Sequence, residues 1–343
     1  MIEIDGSLGG GQMLRTAISL SALTGKGVKI TNIRKGKENA KPGLRPQHMT
    51  VIDVLGSYCN AEIIGLKENS LEVEFRPWEI AAKDRKIDIG TAGSISLLLQ
   101  ALLPVLIFSK KEVKLEIKGG TDVAWSPTAN YMKFVFLPML RKMGINVELE
   151  IVNHGFYPKG GGLVKVVTYP VKKIKPIVAL QPGNVLGLHV ETVVGRFTKD
   201  YAERMAKATL GIFDYHLPNK KVSVGLKAVQ SESYGNAILC YANCENSILG
   251  VDLLGDAGTK PEMLGIRAAE ELVAVLKSGA AVDKFLSDQL LVYMALADGK
   301  SEIKVEKITE HCLTNIHVIE KMLPVSFQID KERKIISVEG IKF

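Results

Sequence analysis

The sequence has no apolar run of the roughly 18 residues that a membrane-spanning helix needs. Its closest stretch, Leu97 to Phe108, is interrupted by Gln100 and Pro104, so no membrane partner is expected. It is also poor in cysteine. Cys59, Cys240, Cys244 and Cys312 are scattered, and Cys240 and Cys244 have no second pair to complete a zinc site. The opening Met1-Ile2-Glu3-Ile4-Asp5 alternates as a strand does and carries no charged-then-apolar leader. These absences predict a reduced, cytoplasmic protein. Common nucleotide-binding signatures are missing as well. Without a G-x-x-x-x-G-K-[ST] run an ordinary P-loop is excluded. Gly9-Gly10-Gly11-Gln12 lacks the third glycine of a dinucleotide fingerprint. There is no Lys-x-Asp-Gly, which argues against a lysine-adenylating ligase, and no paired-histidine metal spacing.

What is present is globular composition. Of 343 residues, 46% are hydrophobic and 24% charged, enough apolar content to exclude disorder as the main state. The length suits one large domain or two ordinary ones. The net charge of +7 is unevenly spread. Seven cations (Lys26, Lys29, Arg34, Lys35, Lys37, Lys41, Arg45) face one anion, Glu38, between Lys26 and Arg45. From Val185 to Leu276, nine Lys/Arg are outnumbered by eleven Asp/Glu. A phosphate-bearing partner meeting the first part of the chain, or merely a solvated surface, accounts for this asymmetry equally well.

Hydrophobic periodicity predicts an internal repeat. The first stretch reads as strand Ile2–Asp5, a helix from about Gln12 to Leu23 stopped by Gly25, strand Val28–Ile33, a helix from Arg45 to Tyr58, and strands Ala61–Ile64 and Ser70–Phe75. This βαβαββ order recurs from Lys86 to Thr168. There, a helix opens at Thr91, and a second begins with Ser126 as N-cap and Pro127 at its first position. A third unit starts at Ile174–Leu180 and resumes only at Asp283. The fold class expected is α+β (α/β): three tandem βαβαββ units packed around shared helices, the third interrupted by a small inserted α/β domain. Residues 1–184 and 277–343 would form one domain and 185–276 the insert.

Glycine-rich turns precede two equivalent helices, at Gly9-Gly10-Gly11 and Gly90-Thr91-Ala92-Gly93-Ser94. Such turns either cradle phosphate oxygens on backbone amides or simply need positive φ. Arg15 beside the first raises the case for an anion. His311, opening the last helix in Thr309-Glu310-His311-Cys312-Leu313-Thr314-Asn315, reads by itself first as a satisfied structural histidine, with a base or nucleophile as the alternative. His48 carries the same two readings.

The ordered blocks taken together resemble the RNA 3′-terminal phosphate cyclase family along almost the full chain. They are Ile4-Asp5-Gly6 with Gly9-Gly10-Gly11-Gln12 and Leu14-Arg15; Ile33-Arg34; Lys41-Pro42-Gly43-Leu44-Arg45 with Gln47-His48; and Gly90-Thr91-Ala92-Gly93-Ser94 through Gln100. Further along come Gly119-Gly120-Thr121-Asp122, Tyr157-Pro158-Lys159-Gly160-Gly161-Gly162, Leu286-Ser287-Asp288-Gln289-Leu290, and His311 with Thr314-Asn315. The resemblance implies ATP-dependent conversion of an RNA 3′-terminal phosphate to a 2′,3′-cyclic phosphodiester, through a covalent histidine–AMP and then an RNA–adenylate.

Roles are implied position by position. His311 matches the adenylated histidine. Gln100, Pro127, Phe285, Leu286, Ser287, Asp288 and Gln289 match nucleotide-binding positions. Arg15, Arg34, Lys37 and Gln47 match the polar cluster near the phosphates. ATP is the implied co-substrate, Mg²⁺ the implied metal, and RNA with a 3′-phosphate end the implied partner; monomer and homodimer both stay open. Three positions depart from the family pattern. Leu8 stands where a metal-holding glutamate is common, which leaves the metal ligands unassigned. Phe285 replaces a common tyrosine and Lys37 a common arginine. The alternative reading is a non-catalytic cyclase-like factor that binds RNA or protein in ribosome assembly. An enolpyruvyl transferase shares the repeated unit but needs six of them.

Overall fold

A computed structural model describes residues 1–35, 41–256 and 258–343; Lys37 therefore lies outside the described residues. In the first unit, alternating side chains make strands β1 (Ile2–Asp5) and β2 (Val28–Thr31), with helix α1 (Gly11–Thr24) between them. Gly25 ends α1 at φ 71°, a left-handed turn that costs glycine nothing, and its N–H reaches the Ser21 carbonyl. Helix α2 (Pro46–Tyr58) and strands β3 (Glu62–Ile64) and β4 (Val73–Arg76) follow. The sheet runs β1-β2-β4-β3, with β1 and β2 parallel and the rest antiparallel.

The second sheet repeats that order. It is built from β5 (Arg85–Asp88), β6 (Val113–Gly119), β7 (Val147–Asn153) and β8 (Gly162–Thr168), paired β5-β6-β8-β7. Its first helix, α3 (Ile95–Leu106), starts four residues later than expected because Ser94 caps it, accepting from the Leu97 N–H at 3.2 Å. The next helix also starts late. Ser126 does not cap it; its hydroxyl donates to the Val123 carbonyl, while the Pro127 carbonyl accepts from Ser96 and the Thr128 N–H donates to Asp252. With those groups engaged elsewhere, Thr128 caps α4 (Ala129–Tyr131) by accepting from the Tyr131 N–H at 3.1 Å. A π turn, Met132–Phe136, leads into α5 (Leu137–Lys142). Pro138, which lacks the N–H for an ordinary helical bond, follows directly on that wider turn.

The third unit begins with β9 (Val178–Ala179), shorter than the expected Ile174–Leu180. Pro176 has no N–H to give, and the Ile177 N–H goes to the Ser301 hydroxyl instead of a strand partner. The chain then builds a separate sheet from β10 (Val185–Gly195), β11 (Val222–Val229), β12 (Gly235–Cys244) and β13 (Ile248–Leu254), ordered β11-β10-β12-β13. Helices α6 (Lys199–His216) and α7 (Pro261–Lys277) pack together on it. Returning, α8 (Leu286–Leu296), β14 (Lys300–Lys304), α9 (Glu310–Met322), β15 (Phe327–Asp330) and β16 (Ile335–Glu339) complete a sheet ordered β9-β14-β16-β15. Relative to chain order within each unit, this is the pairing of the first two sheets again.

A single apolar cluster joins all three of those sheets. In it α1 touches α2, α3 and α9, and α8 touches α3 and α9. Burial of α3 is nearly complete around its circumference, as enclosure requires. The segment between β9 and β14 has its own cluster, from Leu188 and Val190 to Leu272 and Val275. It leans on the second unit where Phe134 stacks on Tyr241, ring centroids 5.6 Å apart. Among the described residues no helix is long and apolar enough to cross a membrane, and all four cysteines are buried free thiols.

Candidate active site

The site gathers where the N-termini of α1 and α9 meet the start of α8. Thr309 caps α9 by accepting from the Cys312 N–H at 3.1 Å, and this puts His311 in the first turn with an exposed ring. At α1 the glycine run leaves Gly10 as an N-cap without a side-chain bond, and no acidic residue occupies the first turn. The helix start thus keeps its donors and its positive dipole end for an outside anion. Gly9 fits closely there: a Cβ on it would lie 3.6 Å from the Thr314 Cβ of α9 and would collide with Met13.

Gln12 connects the two helices. Its Oε1 lies 2.6 Å from His311 Nδ1, and its Nε2 donates to Asp288 Oδ2 at 2.8 Å. Because the amide nitrogen is committed to a carboxylate, the amide oxygen is what faces the imidazole, so in the neutral ring Nδ1 carries the hydrogen and the lone pair sits on Nε2. Asn315, one helical turn beyond His311, donates to the Asp288 carbonyl at 2.8 Å and accepts from the Thr16 hydroxyl at 2.7 Å. Burial pushes the Asp288 carboxyl up to about 7, against the downward pull of the Gln12 bond and the Arg15 charge. Desolvation likewise pushes Arg15 down to about 10, which leaves it cationic at neutral pH.

Except for His311, which is joined to it through Gln12, these residues line one small cleft. Arg15, Gln100, Asp288 and Gln289 share its walls with Gln12 and Asn315. Phe285, exposed at the cap of α8, has the Lys284 ammonium 5.0 Å from its ring centre. Leu286 and Ser287 differ: both residues are fully buried, their N–H groups go to the Asp283 carboxylate and carbonyl, and the Ser287 hydroxyl donates to the Lys284 carbonyl, so neither reaches the surface. Gln289 donates to the Phe285 carbonyl at 2.8 Å, and its own buried Oε1 has no partner. Pro127 stands just before α4, and Asp283 ties that helix to the start of α8 by accepting from Tyr131 Oη and from the Phe285 and Leu286 N–H groups.

The arginines cluster beside the cleft. The charges of Arg15, Arg34 and Arg45, after burial itself, push His48 down to about 3, so its ring is neutral and accepts from the Arg45 N–H at 3.2 Å. His48 thus caps α2 and is structural. Arg34 sits in a left-handed turn at φ 58°, with its own value lowered by desolvation and by Arg45. Gln47 lies against the second glycine turn, where a Cβ on Gly93 would come 3.4 Å from its Cβ. That second turn is not an open anion cradle. Gly90, at φ 72°, donates to Asp88, and the Gly93 N–H goes to the Thr91 hydroxyl.

The first residue of the expected cluster that sequence reasoning left without a role is Gln12; its place in the glycine run was the available signal. Asn315 was within reach too, as the residue four positions after His311 and hence on the same helix face.

With this geometry in view, comparison with known proteins is decisive. The family model of the RNA 3′-terminal phosphate cyclases matches residues 7–329. The chain belongs to that family. A relative of that name from Pyrococcus furiosus is 42% identical over 333 residues, covering 96% of this chain and 95% of its own. Those from Pyrococcus abyssi and Thermococcus kodakarensis are each 43% identical, covering 97% and 96% of this chain and 96% and 95% of theirs. The mixed helices and strands described above agree with the α+β class expected.

The Mg²⁺ that the resemblance implies fits poorly. Leu8 offers no oxygen donor before the glycine run, the one carboxylate in the cleft is engaged by Gln12, and among the described residues no group of three His, Cys, Asp or Glu side chains could hold an ion. No step below depends on one.

Proposed function

We propose that this enzyme, a cyclase by family, uses ATP to convert an RNA 3′-terminal phosphate to a 2′,3′-cyclic phosphodiester, with His311 as the adenylated residue. The observation that carries the reading is the chain Asp288–Gln12–His311. It presents the imidazole with its lone pair on Nε2, at the rim of a cleft containing Arg15. Nε2 attacks the α-phosphorus of ATP, and the bond to the β-phosphate oxygen breaks to release pyrophosphate. Arg15 and the uncapped start of α1 offset the charge that builds on the phosphates. An oxygen of the RNA 3′-phosphate then attacks the adenylyl phosphorus and His311 leaves. Finally the adjacent 2′-OH, giving up its proton, attacks the activated 3′-phosphorus and AMP departs. Ring closure is intramolecular and gains from proximity.

Gln100, Gln289, Phe285 and Pro127 are assigned to the nucleotide, Phe285 by its ring face; Leu286 and Ser287, both fully buried, are assigned on the resemblance only. Arg34, Gln47 and Lys37 are assigned to the phosphates, Lys37 on the resemblance only. Mg²⁺ belongs to the reading solely as a companion of the nucleotide's own phosphates. All these residues fall in 1–184 and 277–343, which we take as the catalytic domain, with 185–276 as an insert; a cytoplasmic setting belongs to the same reading.

Incubation with α-labelled ATP tests it. The expected product is a protein–AMP adduct that is labile in acid and stable in alkali, and His311→Ala should abolish it. Full labelling of that variant would remove His311 from the reaction. Absence of labelling in the unmodified chain, with RNA binding retained, would favour a non-catalytic RNA-binding factor.

A further inference from the structure

A second cleft, wider than the candidate active site, lies apart from it. It opens between the Tyr157–Gly162 turn of the second unit and the sheet of the segment between β9 and β14. Its floor is fixed by close packing. Gly195 and Gly235 face each other across β10 and β12, and a Cβ on either would collide with the Phe156 ring, which lies buried against that pair. The Lys159 N–H then donates to the Ser233 hydroxyl at 3.1 Å.

Above this floor, flat rings and cations stand at the surface. Arg196, in a left-handed turn at φ 62° after β10, holds its guanidinium 5.1 Å from the centre of the Tyr234 ring. Phe197 meets the same ring edge-on at 5.4 Å and is itself stacked on Tyr201 at 4.6 Å. Even so, Tyr234 remains 63% exposed. Lys159 and Arg196 supply two positive charges, with Glu232 on the same wall laid against Gly161. An exposed aromatic face steadied by neighbouring rings and flanked by cations suits one kind of ligand, a strand of unpaired bases on a phosphate backbone.

The cleft also adjoins the reaction site. Gly160, next to Lys159, is pressed onto the Gly90–Ser94 turn, where a Cβ on it would come 3.0 Å from Ala92 Cα. The other side of that turn meets Gln47 through Gly93. One glycine turn therefore forms the partition between the cleft and the phosphate-side cluster.

We propose that the cleft of Lys159, Arg196, Phe197 and Tyr234 binds the single-stranded RNA upstream of the reactive 3′ end, with a base stacked on Tyr234 and phosphates paired to Lys159 and Arg196. This deepens the functional reading above and rests on it, since it gives that reaction's RNA a path away from Gln47. It also explains how a segment of net negative charge serves an RNA enzyme: the contact is local.

Binding of 3′-phosphorylated oligoribonucleotides to the full chain, followed by fluorescence anisotropy without ATP, tests this. The unmodified chain should bind a dodecanucleotide more tightly than a dinucleotide. Tyr234→Ala should weaken the longer ligand about 5- to 160-fold, the range for loss of one stacked base, and so collapse the ratio of the two affinities. Tyr234→Phe should preserve the ratio, and Arg196→Gln should lower the salt slope for the longer ligand by about one. Dodecanucleotide binding by Tyr234→Ala equal to that of the unmodified chain overturns the proposal and returns the cleft to another class of partner. Equal losses for both lengths overturn it too. A chain that forms the AMP adduct but shows no length preference refutes the cleft alone. One that shows a Tyr234-dependent preference yet never labels refutes the histidine reading alone.

Discussion

Gln12 Oε1 lies 2.6 Å from His311 Nδ1, and the two residues are 299 positions apart in the chain. The first helix of the first unit thereby orients a side chain on the last helix of the third. Asp288, at 2.8 Å from the other end of the same amide, decides which way that amide points. A reactive group at an exposed helix start has several rotamers open to it, and this bond selects one while fixing which nitrogen is protonated.

Gln12→Ala should therefore retain nucleotide binding but slow adenylation of His311. The imidazole loses its orienting acceptor, and a small misplacement of a reacting atom costs up to about a hundredfold in rate. Single-turnover labelling with α-labelled ATP gives the rate. If the variant labels as fast as the unmodified chain, the Gln12 contact has no bearing on the nucleophile.

Asp288 makes a prediction about stability and pH. Its carboxyl is raised from 3.8 to about 7, chiefly by burial. The native state then holds a proton that the unfolded chain has already released, so this group's contribution is complete below pH 4 and disappears as the pH climbs to 7. In Asp288→Asn that loss is gone, while an oxygen remains to accept from Gln12. The variant's Tm should rise more steeply with pH between 4 and 6.5 than that of the unmodified chain; parallel curves would refute the shifted carboxyl.

His48 acts with the opposite sign in nearly the same window. Burial first, then the charges of Arg15, Arg34 and Arg45, take it from 6.5 down to about 3. Its neutral ring supports the fold above pH 6.5 and becomes a liability as the pH falls, by at most about 1.4 kcal/mol per pH unit for one proton. Glutamine at this third helical position can still accept from the Arg45 N–H, as in a capping box. His48→Gln should consequently make Tm rise less steeply with pH between 4 and 6.5 than it does in the unmodified chain. Parallel curves would mean that the histidine is not the depressed group.

The repeat is legible in the sequence because each unit carries both periods openly: alternation in strands such as Val113–Gly119 and helical spacing from Ala129 to Met143. Helix starts are less legible. Ser126-Pro127 has the composition of a cap, but the Ser126 hydroxyl folds back to donate to the Val123 carbonyl and Thr128 takes the cap. Thr128 wins through a contact with Asp252, 124 positions away, that no local pattern contains. The site divides in the same manner. His311 and Arg15 are marked by their helix starts, whereas the buried side chains of Leu286 and Ser287 and the neutral, structural His48 are consequences of tertiary packing.

Asp283 accepts four hydrogen bonds in the interior and is a test of how the site is held. Its Oδ1 accepts from Tyr131 Oη at 2.7 Å and from the Phe285 and Leu286 N–H groups at 3.0 and 2.9 Å; its Oδ2 accepts from the Gly250 N–H at 3.1 Å. Four donors thus converge from α4, the start of α8 and β13. Asp283→Asn preserves Oδ1 but turns an amide NH₂ toward Gly250, so that two donors meet where an acceptor stood. An unsatisfied buried group of this kind costs about 1–3 kcal/mol, readable as a lower urea midpoint with an unchanged m-value. Since Phe285 leans on the same knot, the variant should also lose affinity for ATP more than it loses the rate of adenylation at saturating ATP. A loss confined to the rate would place Asp283 in the chemistry instead of in the support of the nucleotide's binding wall.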